Sequence, residues 1–165
     1  MANPYIGWVN LQMVSVRHHL SLLLEAKNAN ERLRNRGVLE SAAWHMLRAY
    51  RYYLFELGAN YQLSSPEDHQ TADELGRALE SAGKHPGEAS ELIGLEDNGW
   101  VSDLLGVNIA INRPSPALGG PTLQKELAII DLDRVPVELT QDVLIDWLSK
   151  FKELTERHRE VMVEY

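Results

Sequence analysis

Apolar residues recur every three or four positions through three long stretches of this chain, which is the spacing of a helix that buries one face. The first stretch predicts a helix from Pro4 to about residues 28–30, and the second predicts a helix over residues 31–57. The third predicts a helix that begins at Thr140. The apolar stripes are Ile6, Val9, Met13, Val16, Leu20 and Leu23; Leu39, Ala43, Met46, Tyr50, Tyr53 and Leu57; and Leu144, Trp147, Leu148, Phe151, Leu154, Val161 and Met162.

Glycines and capping residues refine the ends of the long helices. Thr140 is a good N-cap for the last helix, and Leu139 and Leu144 occupy the two positions of a hydrophobic staple around it. Gly37 predicts a bend in the second helix or a later start for it. Gly58 is predicted to be the residue just past the end of that helix.

Shorter helices are predicted in the middle of the chain. One is expected to begin at Ser65, with a proline in its first turn, and to end at Gly83. A short helix is predicted over residues 86–93. Another is expected to start at a cap formed by Asp97–Asn98 and to stop before Pro114.

No pattern in the chain predicts a sheet. Residues 113–123 are rich in Pro and Gly and predict a loop, and residues 127–132 are an apolar run that fits at most one short extended segment. The sequence therefore predicts an all-α fold, an up-and-down helical bundle of about three long and two or three shorter helices. Its 165 residues are predicted to form a single domain, 1–165.

The composition narrows the functional classes. The net charge of −8 repels phosphate backbones at long range, so nucleic acid is an unlikely partner by charge. Cysteine is absent, which excludes disulfides and thiol chemistry. No apolar run approaches the ~20 residues of a membrane span, and the first ten residues lack the basic residues of a signal peptide. A cytoplasmic protein is expected.

The six histidines do not have the spacing of a metal site. Neither a Glu-x-x-His pair nor a His-x-x-x-His pair occurs, and the nucleotide-binding glycine loops and the Gly-x-Ser-x-Gly motif are also absent. His158 lies on the last apolar stripe, where it could join His19 and His45 around a metal or be a partly buried side chain with a hydrogen-bond partner. The sequence predicts no catalytic residue, no metal ligand and no cofactor.

One cluster in the second helix contains residue types that commonly bind ligands or protein partners. Helical spacing places Trp44, Arg48, Arg51 and Phe55 along one side, with Tyr52 beside them. Arginine between aromatic rings can stack on bases and pair with phosphates, and Trp, Tyr and Arg are also enriched in protein interfaces. The cluster could equally be internal structure, with arginine stacked on aromatic side chains. These five residues are the candidate ligand-binding or partner-binding residues.

Three segments carry a resemblance. They read HMLRAYRYYLFEL over 45–57, GLEDNGWVSDLL over 94–105 and VPVELTQDVLIDWL over 135–148. In this order and spacing they resemble a small uncharacterised helical family of gammaproteobacteria, and the likeness covers most of the chain. The resemblance implies a bacterial cytoplasmic helical domain. That family has no assigned activity, substrate or cofactor, so the resemblance implies no site residue.

These observations favour a non-enzymatic protein-interaction module, either a homodimer or a protein that binds another partner. The four tryptophans and the surplus apolar width of the first two helices support this interpretation. One alternative is a binder of nucleic acid or of an anionic ligand through the arginine and aromatic helix face. The other is a metal enzyme that uses the three histidines named above.

Overall fold

Six α-helices and one short 3-10 helix make up the regular structure of residues 3–112 and 137–163, the part of the chain that the computed structural model describes. There is no strand among these residues, and the predicted all-α fold with three long helices is confirmed. The predicted loop over 113–123 and extended segment over 127–132 lie outside them. The helices are α1 (Tyr5–Ser21), α2 (Ala29–Asn60), the 3-10 helix (Pro66–Asp68), α3 (Ala72–Ser81), α4 (Gly87–Asn98), α5 (Trp100–Ile111) and α6 (Gln141–Val163).

The longest helix, α2, lies at the centre of the bundle and contacts α1, α3, α5 and α6. α1 runs antiparallel to it, since Tyr5 meets Phe55 near one end of the pair and Leu24 meets Asn35 near the other. α2 and α6 together supply fourteen of the 26 buried hydrophobic side chains among the described residues, and nine of these fourteen belong to the predicted stripes. The largest fully buried side chains include Met46, Tyr50, Tyr53, Leu54, Leu57, Leu75, Leu79, Leu92, Leu104, Leu144 and Phe151.

The predicted end of the first helix at 28–30 is wrong, because α1 stops at Ser21. Asn28 caps the following helix instead: its side chain accepts a hydrogen bond from the backbone N–H of Glu31 at 2.9 Å. Asn35 then holds the connecting segment by hydrogen bonds to both the N–H and the carbonyl of Leu24. The apolar run over 22–24 extended the periodic pattern past the true end of the helix.

Both predictions about glycines in α2 are corrected. The helix begins at Ala29, eight residues before Gly37, and it continues through Gly58 to Asn60. Gly58 is buried, and a Cβ built on it would lie 2.9 Å from the Cβ of Pro66 and 3.3 Å from Leu75. Glycine therefore allows close packing at this position and does not mark the end of the helix.

The predicted start of the third helix at Ser65 is also wrong, since Pro66–Asp68 forms only a 3-10 turn. α3 starts at Ala72, where Thr71 and Glu74 form a reciprocal capping box that satisfies two backbone N–H groups. Its predicted end is confirmed by Gly83, which has a φ of 73° just past the helix. Such a backbone favours glycine.

Two further helix starts can be compared with the structure. α5 is capped by Gly99, not by the predicted Asp97–Asn98 pair, which forms the last turn of α4. The start of α6 agrees with the prediction, because the Thr140 hydroxyl accepts a hydrogen bond from the Val143 N–H at 3.3 Å. The connection between α3 and α4, the start of α4 and the end of α6 line one pocket, and α1 and α2 carry the separate cluster of the predicted arginine and aromatic residues.

Candidate functional site

The predicted arginine cluster forms a stacked row on the surface of α2. The guanidinium of Arg48 lies 4.6 Å from the ring centroid of Trp44 and 5.4 Å from that of Tyr52, and it donates a hydrogen bond to the Tyr52 hydroxyl at 2.5 Å. Both distances fall within the range of cation–π attraction. The row therefore holds an arginine in a fixed orientation between two aromatic rings.

α1 extends this row with a second tryptophan. The ring of Trp8 lies 6.2 Å from that of Tyr52, and Leu11 follows one turn later on the same helix. Trp8 is 51% exposed, Leu11 50% and Trp44 47%. We call Trp8, Leu11, Trp44, Arg48, Arg51 and Tyr52 the arginine–aromatic face.

One of the five predicted residues is placed elsewhere. Phe55 is buried, and its ring packs edge-on against Tyr5 at 5.8 Å and against Tyr52 at 6.1 Å. It therefore supports the arginine–aromatic face from beneath and does not contribute to its surface. Arg51 is exposed on the outside of α2, as a binding residue would be.

Exposed apolar side chains are concentrated on the first two helices and their connection. Of the ten large hydrophobic side chains that are exposed among the described residues, seven lie between Trp8 and Trp44. Isolated apolar residues on a surface are common, but a concentration on one helix pair is typical of an interface. The remaining three are Ile109, Ile145 and Val161.

The charged residues are distributed unevenly between the first two helices and the rest of the chain. Residues 1–60 contain seven Lys and Arg against four Asp and Glu, a net charge of +3. Residues 61–165 contain nine against twenty, a net charge of −11. The overall charge of −8 thus conceals a basic helix pair, on which the arginine–aromatic face lies, and an acidic remainder.

The three histidines considered together from the sequence do not converge. The rings of His19 and His45 lie 4.8 Å apart, with His45 Nδ1 2.7 Å from Gln12 Oε1. His158 is bonded elsewhere, to residues of α2 and α4. Over residues 3–112 and 137–163, no group of three or more His, Cys, Asp or Glu side chains is arranged to hold a metal ion.

His158 is the buried centre of a polar network. Its Nδ1 lies 2.6 Å from the Tyr53 hydroxyl, and its Nε2 lies 2.9 Å from Glu91 Oε2. Because the Glu91 carboxylate only accepts, Nε2 carries a hydrogen and donates it to Glu91, while Nδ1 is hydrogen-bonded to the Tyr53 hydroxyl. Burial, then the charge of Glu56, raises the pKa of Tyr53, so its hydroxyl keeps the proton that this bond needs.

Two arginines of α6 flank this histidine, and each is paired with a glutamate. Arg157 donates two hydrogen bonds to Glu91, at 3.0 and 2.7 Å, near the surface. Arg159 donates two to Glu56, both at 2.7 Å, and the Glu56 side chain is completely buried. The network therefore fastens α6 to both α2 and α4.

The Glu91 ion pair has a testable pH dependence. Hydrogen bonds from Arg157, and then from His158, lower the pKa of Glu91 from 4.5 to about 2. The ionised carboxylate thus stabilises the fold above pH 4.5, and that stabilisation is lost as the pH falls from 4.5 towards 2. We expect Glu91→Gln to lower the free energy of unfolding at pH 7 by less than about 1 kcal/mol, because solvent reaches the pair. The difference from the natural chain should shrink below pH 4.5 in urea titrations, and a constant difference down to pH 2.5 would contradict the assignment.

The residues that sequence reasoning missed are the partners of His158. Tyr53 was counted as an apolar stripe residue, and Glu91 has no pattern that distinguishes it from other helical glutamates. They lie 105 and 67 residues from the histidine in the chain. The available signal was the position of His158 on a buried stripe, where an imidazole requires hydrogen-bond partners.

Comparison of the chain with protein-family models, with curated proteins and with solved structures finds no match. Membership of the gammaproteobacterial family therefore stays a prediction. Within the described residues, no helix is both long enough and apolar enough to cross a membrane.

Proposed function

We propose that this protein is a non-enzymatic interaction module that associates with a second copy of itself through the arginine–aromatic face. The observation that carries the proposal is the exposure of Trp8 and Trp44 on either side of Arg48, which is already held against the aromatic rings. Tryptophan, tyrosine and arginine contribute most of the binding energy in many interfaces. A side chain that is oriented before binding loses less entropy when the partner arrives.

Charge complementarity supports a second copy as the partner. The arginine–aromatic face belongs to the part of the chain with a net charge of +3, and the rest of the chain carries −11. A contact between two arginine–aromatic faces would bring like charges together, whereas a contact between this face and the acidic surface of another copy pairs opposite charges. We therefore infer an association in which the face of one copy meets the acidic surface of the next.

Replacement of both exposed tryptophans tests this association. We expect the natural chain to show a concentration-dependent mass above that of the monomer, measured by light scattering on a sizing column. Trp8→Ser combined with Trp44→Ser should weaken the association by at least about thirty-fold, since a single hot-spot tryptophan already contributes about 2 kcal/mol or more. The matched control is Val14→Ser with Leu33→Ser, which removes exposed apolar side chains of the same two helices that lie outside the arginine–aromatic face.

The outcomes separate the proposal from its alternatives. A strict monomer at all concentrations, or equal weakening by the control pair, would overturn it. Such a monomer should also be tested for binding to a labelled single-stranded oligonucleotide. Binding that salt weakens steeply, and that Arg48→Ala with Arg51→Ala abolishes, would assign the face to nucleic acid instead. Higher salt should also weaken the self-association, and this effect should be seen in samples that contain no oligonucleotide.

We also infer that the protein works in the cytoplasm of a bacterium. The absence of cysteine and the acidic overall charge fit a reducing compartment with a high protein concentration. The bacterial origin rests on the resemblance described above.

A further inference from the structure

A pocket of about 580 Å³ opens where the α3–α4 connection, the start of α4 and the end of α6 meet, beside Tyr61 at the end of α2. Small-molecule sites in proteins typically have 300–1,000 Å³. Its wall combines the apolar surfaces of Pro86 and Val161 with the polar groups of Tyr61, Glu88 and Glu91. No residue of the arginine–aromatic face lines it.

Glu88 is the unusual group in this pocket. The residue is only 8% exposed, and its Oε2 accepts a hydrogen bond from the Tyr61 hydroxyl at 3.3 Å. No hydrogen-bond partner for Oε1 exists among the residues that the structure describes. Buried polar atoms are nearly always hydrogen-bonded, because an unpaired one is costly to remove from water. A carboxylate with one unpaired oxygen can accept a hydrogen bond from a ligand.

The cationic side chains around the pocket already have other partners. Arg157 donates both of its forked hydrogen bonds to Glu91, and Lys84 donates from Nζ to the backbone carbonyl of Tyr61. Of the four acidic residues of α4, only Glu88 and Glu91 line the pocket, where Lys84 and Arg157 balance them in formal charge. Glu91 is paired with Arg157, whereas Glu88 has no ion-pair partner among the described residues, so its carboxylate is the acidic group of the pocket that can still attract a cation.

An organic ammonium fits these features better than a metal ion does. A metal ion is held by several oxygen or nitrogen ligands, and the described residues provide no group of three acidic, histidine or cysteine side chains so arranged. An ammonium has three donors on one centre, and its hydrocarbon body can cover Pro86 and Val161. The last side-chain torsion of glutamate is broad, so Glu88 can turn an oxygen toward the pocket in exchange for the long hydrogen bond from Tyr61.

We propose that this pocket binds a small aliphatic amine, whose ammonium group donates to Glu88 and whose chain packs against Pro86 and Val161. The amine is held by hydrogen bonds, by charge and by apolar contact, with no covalent step. Its selectivity over a neutral molecule of the same shape comes from the carboxylate.

Calorimetric titration of the full chain with 1,5-diaminopentane tests the proposal, and 1,5-pentanediol serves as the neutral probe of the same length. We expect saturable binding of one diamine per chain and a rise in thermal midpoint with diamine concentration, because a ligand stabilises the state that binds it. The diol should produce neither effect.

Two substitutions locate the site without disturbing the core. Val161→Arg places a cation on the pocket wall and should weaken diamine binding by at least about ten-fold. Ile145→Arg is the matched control, since Ile145 is on the same helix, is 49% exposed against 44% for Val161, and does not line the pocket. It should leave the affinity within about two-fold of the natural value. Glu88→Gln should weaken binding similarly to Val161→Arg, and if that variant does not fold, Val161→Arg still decides.

Four results would overturn the proposal. They are no diamine binding at millimolar concentrations, equal binding of the diol, equal affinity in Val161→Arg and Ile145→Arg, and binding of inorganic phosphate in place of the amine. The last would mean that Lys84 and Arg157 exchange their present partners for an anion. None of these results depends on whether the protein self-associates.

Discussion

Replacement of Arg159 by methionine is expected to lower the free energy of unfolding by about 3–5 kcal/mol. The substitution keeps most of the side-chain volume but leaves the carboxylate of Glu56, which is completely buried, without the two hydrogen bonds at 2.7 Å. Removal of one partner from a buried pair is costly because the remaining charge stays out of water. Urea unfolding followed by circular dichroism measures the loss.

Arg157→Met is the matched control for this experiment. It removes an arginine two residues away on the same helix that also makes two hydrogen bonds to a glutamate. The side chain of Arg157 is 53% exposed against 23% for Arg159, and the carboxylate of Glu91 is accessible where that of Glu56 is not. The loss should therefore stay below about 1 kcal/mol.

A double substitution separates charge from packing at the buried pair. Glu56→Gln combined with Arg159→Met should recover part of the stability lost in Arg159→Met, because no buried charge remains without a partner. Equal losses in Arg159→Met and Arg157→Met would show that burial does not determine the strength of the Glu56 pair.

The same substitution at two glycines of α2 is expected to have opposite effects. Gly58→Ala places a Cβ 2.9 Å from that of Pro66, and should destabilise the protein by about 1–3 kcal/mol through overpacking. Gly37→Ala places a Cβ with no atom within 4 Å in the middle of the same helix, and should stabilise the protein by up to about 1 kcal/mol. Each variant therefore serves as the control for the other.

Thermal unfolding of the two variants side by side provides the measurement. Helix propensity favours alanine at both positions, so only the close approach of the Pro66 turn can reverse the sign at Gly58. If both variants gained stability, the 3-10 turn would have to move away from α2 at little cost. That result would contradict the packing described here.

The helices that bury one complete stripe could be predicted from the sequence. The Thr140 cap of α6 was correct, and Leu144, Trp147, Phe151 and Leu154 of its predicted stripe are buried, whereas Val161 near the end of the helix is exposed. The end of α1 was missed because residues 22–24 continue the apolar pattern although they do not lie in the helix. The role of Gly58 was predicted wrongly because the helix packs closely against Pro66 at this position. Pro66 lies eight residues away in the chain, and helix propensities describe only the glycine itself.

The candidate sites were less accessible to sequence reasoning. Spacing correctly brought Trp44, Arg48 and Tyr52 together, since helical neighbours are fixed by local geometry. It could not reveal that Trp8 joins them from another helix. It also could not pair His158 with Glu91, because that contact depends on how α4 and α6 pack together. Net charge was misleading as a single number, because it averages a basic helix pair with an acidic remainder.

The contacts that fasten α6 to α2 have a consequence for the order in which the molecule assembles. Gln12 and His45, which link α1 to α2, are 33 residues apart, whereas Glu56 and Arg159 are 103 residues apart. Closing the larger loop costs only about 1 kcal/mol more entropy, yet contacts between distant parts of a chain form slowly. We therefore expect the hairpin of α1 and α2 to form before α6 docks, with Glu56 hydrated until Arg159 reaches it. On this order, the docking of α6 is the step that completes the native bundle.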